Sequence, residues 1–310
     1  MNDSLIDLNP QLVQEIAARG ESLAGEDLSK MNLSGLSLAG TDFSDAVLNQ
    51  VNFSNSDLSK CNFDGANLAK ANLSGAQCVE ATFRQADLNE VEASQAKFER
   101  AVLDGAVFSK ATLDGAIFNH AQGAGTNFTE ASLNNAHFSE TKFDTANFSA
   151  ATMDSTNWEK SELTSCNFEQ ACSSHINMKL AILTGLRAEG CNFPGGVFVQ
   201  VKADDATFES ANLERADFSY ASLQKSNFIT ANLKQAVLYA SDCTKANLSS
   251  AELVRANLSC ANFFQSTFER ADLVGADLSK SNCYEAEFLE ANVVGTVLDG
   301  AILDASKLKK

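Results

Sequence analysis

CNFDGANLAKANLSGAQCVEATFRQADLNE, residues 61–90, spells one five-residue unit six times over. The third residue of each unit is apolar: Phe63, Leu68, Leu73, Cys78, Phe83 and Leu88. The first is small (Cys61, Ala66, Ala71, Ala76, Ala81, Ala86), and the second is polar. Neither regular element has this period. In an α-helix five residues advance about 500°, so successive apolar residues would drift apart by about 140°. Along a strand every fifth residue lands on the opposite face. The phase survives only if the backbone turns once per unit, and four such turns close a coil of about twenty residues with the large and small positions inside.

Outward from this stretch the phase runs without insertion or deletion from Leu23 to Leu308. It has 58 positions, 50 of them Leu, Phe, Met, Trp or Val, and it holds 20 of the 21 phenylalanines, the exception being Phe264. The rule weakens at Ala93, at Gly123 and across residues 172–203, where Ser173, Ala188 and Ala203 occupy the large position and Pro194-Gly195-Gly196 follow Phe193. That segment reads either as an irregular coil or as a small loop shaping a docking site. Gly35, Gly65, Gly75, Gly105 and Gly115 end their units and suit a tight corner.

The unit A(D/N)(L/F)XX, spelled out in ANLAK, ADLNE, ADFSY, ANLER and ADLVG, resembles that of the pentapeptide-repeat family across residues 21–310. The resemblance implies an all-β solenoid, a right-handed quadrilateral β-helix. At about twenty residues per coil and ~4.8 Å between coils, it would have about fourteen coils and a length of about 70 Å. Residues 1–20 form a leader and a short capping helix, with Asn9 as N-cap, Pro10 at the first helical position, Gly20 as the stop, and Leu12, Val13 and Ile16 as the apolar side. It reads as a lid on the first coil. After Leu308 the sequence ends at SKLKK, so no matching cover is expected there.

Catalytic chemistry is not legible. Six of the eight cysteines fall on interior positions: Cys78, Cys243 and Cys283 on the large one, Cys61, Cys166 and Cys191 on the small one. They read as reduced, buried thiols. No Cys-x-x-Cys pair occurs, and His120, His137 and His175 sit at outward positions out of register, so neither metal nor cofactor is expected. No phosphate loop, nucleophile elbow or His-Glu-x-x-His segment is present. A filled square core leaves no room for a substrate, so the chain reads as a binding protein rather than an enzyme.

A formal net charge of −17 argues against direct contact with nucleic acid or anionic lipid. No apolar run is long enough to cross a membrane and the N-terminus lacks a secretory pattern, so a cytoplasmic location is expected. The wall centred on Leu23, Phe43 and Phe63 carries 12 acidic and 5 basic residues. Its Asp42, Asp45, Asp64, Asp104, Asp144, Asp204 and Asp205 are the candidate face for a basic partner. Family members that mimic DNA bind DNA gyrase, which the resemblance makes one alternative. B-DNA would place on the order of 40 charges along such a length, however. The entry segment LVQEIAARGESLAGEDLSKMNLSGLSLAG is similar to repeat proteins encoded beside bacterial type VI secretion systems, which makes an accessory role there another.

The C-terminal third carries the candidate protein-binding residues. Val254, Val274 and Val294 recur at intervals of twenty where earlier coils have Ser34, Ser54, Ser74 and Ser94. On another wall Phe264 falls beneath Tyr284, and on a further one Tyr220 neighbours Tyr239. Clusters of this kind mark interaction sites. A protein partner, or a homodimer through the C-terminal coils with Leu303 and Leu308 exposed at the end, follows as the expectation.

Overall fold

A computed structural model describes residues 8–306. The leader before Leu8 and the terminal Leu308 lie outside the described residues. The chain forms two compact units, Met1–His137 and Phe138–Lys310. In the first, α1 (Pro10–Ala18) starts at Asn9, whose Oδ1 accepts the Leu12 amide at 3.1 Å. Pro10 lacks only a donor that the first turn does not use. Arg19 is the C-cap, and Gly20 follows with a left-handed φ of 69°. Val13 is fully buried and Leu12 and Ile16 are half-buried, which marks the apolar side of the helix.

Each unit is then built from one recurring coil. Parallel bridges join second-position residues twenty apart, as in Asn32↔Asn52 and Asn52↔Asn72 in the first unit and Asn212↔Asn232 in the second. Four kinds of backbone bond repeat with every five residues, one of them from the second-position amide back to the preceding coil (Asn52 to Met31, 2.9 Å). The third-position amide donates to the next coil (Phe43 to Asn62, 2.7 Å), and so does the fifth (Asp45 to Asp64, 2.9 Å). A four-residue turn closes the corner (Ala46 to Phe43, 3.1 Å). Each corner places a left-handed residue third in the turn, the type II pattern. All fifth positions from Gly25 to Ala305 have positive φ, and 43 of them carry a side chain.

Within each unit the third-position side chains stack along the coils. Phe43 lies on Phe63 at 5.1 Å between ring centroids and Phe63 on Phe83 at 4.9 Å, with Phe53 edge-on to both. In the second unit Phe208 stacks on Phe228 at 5.1 Å. Leu68, Phe148 and Phe228 are fully buried. Where a buried Ser or Thr replaces the small alanine, its hydroxyl donates back to the carbonyl three residues earlier, as Thr41 does to Leu38 at 2.7 Å. A buried polar group is thereby satisfied inside an apolar core.

Residues 172–203 make no loop. The bridges Cys172↔Asn192, Asn177↔Val197 and Ile182↔Lys202 hold the ordinary register. The core compensates by exchanging volumes between positions. Ala188 at the large position accompanies Leu186 at the small one, Ala203 accompanies Val201, and Ser173 precedes Ile176, all of them buried. Ala93 and Val91 make the same exchange in the first unit. Gly196 completes the arrangement, since a Cβ there would stand 2.7 Å from the Phe198 ring and 3.0 Å from Ile176.

Candidate interaction surface

Outward side chains come from the second, fourth and fifth positions, and the backbone sets what each can do. The fourth-position amide makes none of the four recurring bonds. Where the second residue is Asn or Asp, its side chain usually accepts that amide, as Asn52 does from Ser54 at 3.0 Å. Elsewhere a different donor–acceptor pair takes over. Asp64 accepts the Arg84 amide (2.8 Å), Asp104 that of Ala124 (2.9 Å) and Asp114 that of Asn134 (2.9 Å). In the second unit Asp144 accepts from Thr164 (3.1 Å), Asp154 from Ser174 (2.6 Å) and Asp204 from Gln224 (3.0 Å). In all six cases the second residue of the receiving repeat is neither Asn nor Asp: Thr82, Gln122, Ser132, Glu162, Cys172, Ser222.

The acidic wall therefore consists largely of structural acceptors. Asp42 accepts the Ser44 amide at 3.1 Å, the Ser22 hydroxyl at 2.9 Å and the Asn62 amide group at 3.0 Å. Partial burial pushes its carboxyl upward, but the hydrogen bonds from Ser44, Ser22 and Asn62 outweigh this and hold it below the ordinary carboxylate range. Of the seven aspartates singled out in the sequence, Asp42, Asp64, Asp104, Asp144 and Asp204 are engaged in this way. Only Asp45 and Asp205, at fifth positions, accept no hydrogen bond among the described residues, and Asp205 lies 4.0 Å from the Lys225 ammonium. Sequence reasoning treated these residues as free charge. The signal that separates them was present: an Asp at the fourth position, then a repeat twenty residues on without Asn or Asp.

The C-terminal candidates lie where the register puts them. The rings of Phe264 and Tyr284 stack at 6.0 Å and 15°. They stand on the fourth positions of the same wall of the second unit as Asp144 and Asp204, continuing it in apolar form. Val254 and Val274 are half-buried, while Val294 is 70% exposed. The rings of Tyr220 and Tyr239 meet edge-on at 5.5 Å, and the neighbouring Cys260 thiol, followed by Tyr220, holds the Tyr239 phenol above its ordinary value. Tyr220 is 56% exposed and Tyr239 half-buried.

All eight cysteines are free thiols. Six are buried, and burial pushes the Cys61 and Cys243 thiols up to about 12, far from reactive. Cys172 is half-buried and Cys260 exposed. The three histidines are exposed. Among the described residues no group of His, Cys, Asp and Glu has the arrangement to hold a metal, and no helix is long and apolar enough to cross a membrane.

The family model described as "Pentapeptide repeats (8 copies)" matches residues 27–65, 52–89, 66–105, 181–219, 197–235, 231–270 and 266–304, and the model "Pentapeptide repeat region" matches 91–168. The chain belongs to the pentapeptide-repeat family. Its fold is accordingly a β-helix solenoid. Solved pentapeptide-repeat structures similar to it include HetL of a Nostoc cyanobacterium, involved in heterocyst differentiation regulation. HetL has 22% identity over 97% of this chain and 95% of its own, with a TM-score of 0.34. QnrB1, a plasmid-mediated fluoroquinolone resistance protein, has 16% identity over 61% of this chain and 90% of its own, with a TM-score of 0.39. Rfr23 of the cyanobacterium Cyanothece has 21% identity over 46% and 86%, with a TM-score of 0.20. No curated protein matches the chain. A pentapeptide-repeat protein spends its inward positions on packing and many of its second positions on corner bonds, which leaves most fourth- and fifth-position side chains facing outward.

Proposed function

We propose that this pentapeptide-repeat protein is a non-catalytic scaffold, a right-handed quadrilateral β-helix of about fourteen coils, that binds a protein partner in the cytoplasm through its C-terminal coils. One observation carries the reading: the Phe264–Tyr284 stack, 6.0 Å apart on a wall whose fourth positions in the second unit are otherwise polar, from Asp144 through Thr244. Val254, Val274 and Val294 on one wall and Tyr220 and Tyr239 on another extend the same apolar character around the second unit. Exposed ladders of this sort are a cost in solvent and a gain at an interface.

The engagement of Asp64, Asp104, Asp144 and Asp204 in backbone bonding weighs against a DNA-like acidic face as the site, so a gyrase-binding mimic has less support than an apolar contact. The triple variant Val274→Lys, Phe264→Ser, Tyr284→Ser tests the reading in a pull-down from the source cytoplasm, with sedimentation alongside. Loss of one specific partner is the expected result. Identical partners and identical assembly state would move the site elsewhere.

A further inference from the structure

Only a few fifth-position side chains are apolar, and most of these share one wall of the second unit. Of the 43 side chains held at positive φ, six are Ala, Leu, Tyr or Cys, and four of the six form a single column: Leu180, Tyr220, Ala240 and Cys260, interrupted by Gln200. Leu180 and Tyr220 hold φ of 62° and 59°, a conformation that bulky side chains seldom adopt. Both are exposed, at 38% and 56%. Glycine or a flexible polar residue fills this position almost everywhere else.

The rest of the wall matches the column. Val197 and Val237 occupy second positions, on either side of Asp217 in the bridge ladder Asn177↔Val197↔Asp217↔Val237↔Asn257. Val199 and Tyr239 occupy fourth positions, and their carbonyls accept the Leu180 amide at 3.0 Å and the Tyr220 amide at 2.9 Å, which sets each beside the column. All four are half-buried. From 176 to 260 this wall, INMKL, GVFVQ, ADFSY, AVLYA and ANLSC, bears only Lys179 at one end and Asp217, whose Oδ1 accepts the Ser219 amide at 2.9 Å. The other walls of the same coils each carry several charges, among them Arg187, Glu189 and Glu209, or Glu214, Arg215 and Lys234.

We infer that the strip from Leu180 to Cys260 is the contact through which a second copy of this chain docks. The occupant follows from charge. A basic partner gains nothing on a wall without free carboxylates. A copy carrying the same −17, by contrast, can approach without repulsion only where both surfaces are neutral. Strip against strip is self-complementary, as a two-fold contact requires. Four coil spacings of ~4.8 Å make it about 19 Å long, so the dimer is weak and concentration-dependent. The inference deepens the reading of Tyr220 and Tyr239 as interaction residues and does not involve the valine ladder.

Cys260 is a built-in reporter, since it lies on the strip beside Tyr239 and is exposed. Sedimentation equilibrium across a micromolar-to-millimolar range would be run with peptide-resolved alkylation of Cys260 by N-ethylmaleimide. The expected result is a doubling of mass at high concentration, with Cys260 alkylation slowed about tenfold once about nine-tenths of the chains are paired. Tyr220→Lys and, separately, Leu180→Lys should leave the circular dichroism unchanged, keep the chain monomeric and abolish the protection. A monomer throughout the range overturns the inference. So does a dimer whose Cys260 stays fully reactive, which would place pairing at the coil end instead. A Tyr220→Lys or Leu180→Lys chain that still dimerises overturns it as well. None of these outcomes touches the partner binding tested with the Val274, Phe264 and Tyr284 variant.

Discussion

The wall bearing Asp144 and Asp204 and the wall bearing Leu180 and Tyr220 hang on the same coils of the second unit, with the same backbone bonds and the same interior. On the first, carboxylates that look available are holding amides of the coil above: Thr164 to Asp144 at 3.1 Å, Gln224 to Asp204 at 3.0 Å. On the second, large apolar side chains, Leu180 and Tyr220, stand partly exposed in a backbone conformation that favours glycine. Formal charge thus overstates what the acidic wall can offer a partner. The neutral wall, inconspicuous in composition, is the one whose side chains are free to be recognised.

The interior common to both walls sets the scale against which either is measured. Phe148 touches Phe138, Trp158 and Phe168 in an aromatic stack, with Phe168 at 4.8 Å. Phe148→Ala should cost about 3–5 kcal/mol through the cavity it leaves, read as the shift in urea midpoint at constant slope. A shift below about 1 kcal/mol would mean the coils tolerate voids, and the two walls could not then be compared on one rigid frame.

Next in size is the backbone role of the aspartates. Asp104→Ala should destabilise by about 1–2 kcal/mol, the usual cost of stripping an amide of its side-chain acceptor. Asp45→Ala and Asp205→Ala should stay within about 0.5 kcal/mol. Gln122→Asn, which restores an acceptor inside the receiving repeat, should recover most of the Asp104→Ala loss. Equal effects at Asp104 and Asp205, or no rescue, would return the acidic wall to the status of free charge.

Acid should distinguish the walls too. The Asp42 carboxyl is held below its ordinary value of 3.8, so it binds protons less readily folded than unfolded. Its contribution is complete above the unfolded carboxylate range and is lost as pH falls through the lowered folded value. Urea midpoints followed downward from pH 5 should fall less steeply in Asp42→Asn than in the wild type, whereas Tyr239→Phe should leave the slope unchanged. Smallest of all, Tyr220→Ser and Leu180→Ser at low concentration should change stability by no more than about 0.5 kcal/mol, because neither side chain supports its own coil.

Much of this architecture was legible from spacing alone. The third-position phase located a core in which Leu68, Phe148 and Phe228 are fully buried, the twenty-residue interval placed Phe264 against Tyr284, and adjacent coils set Tyr220 beside Tyr239, nineteen residues on. Volume exchange at Leu186 and Ala188 was not, because it requires knowing that first and third positions share one interior. The aspartate acceptors escaped for a related reason. A fourth-position carboxylate acts on the repeat twenty residues later, and nothing within its own five residues shows this. Leu180 was passed over because the fifth position reads as a corner, where polar residues are the rule and one leucine looks like noise until its column is assembled.

Neighbours that stand twenty residues apart make the sequence readable as a page of four columns, and this has an editorial consequence. Excising twenty residues within a unit, for example 206–225, would delete one line and leave every column aligned, so the shortened chain should still close its coils. Excising nineteen would slide each column against the next, placing polar second positions such as Asn227 where Phe228 belongs. Tandem duplication in steps of twenty is then the natural way for such a chain to grow, and a motif written on one wall can be lengthened without rewriting the other three.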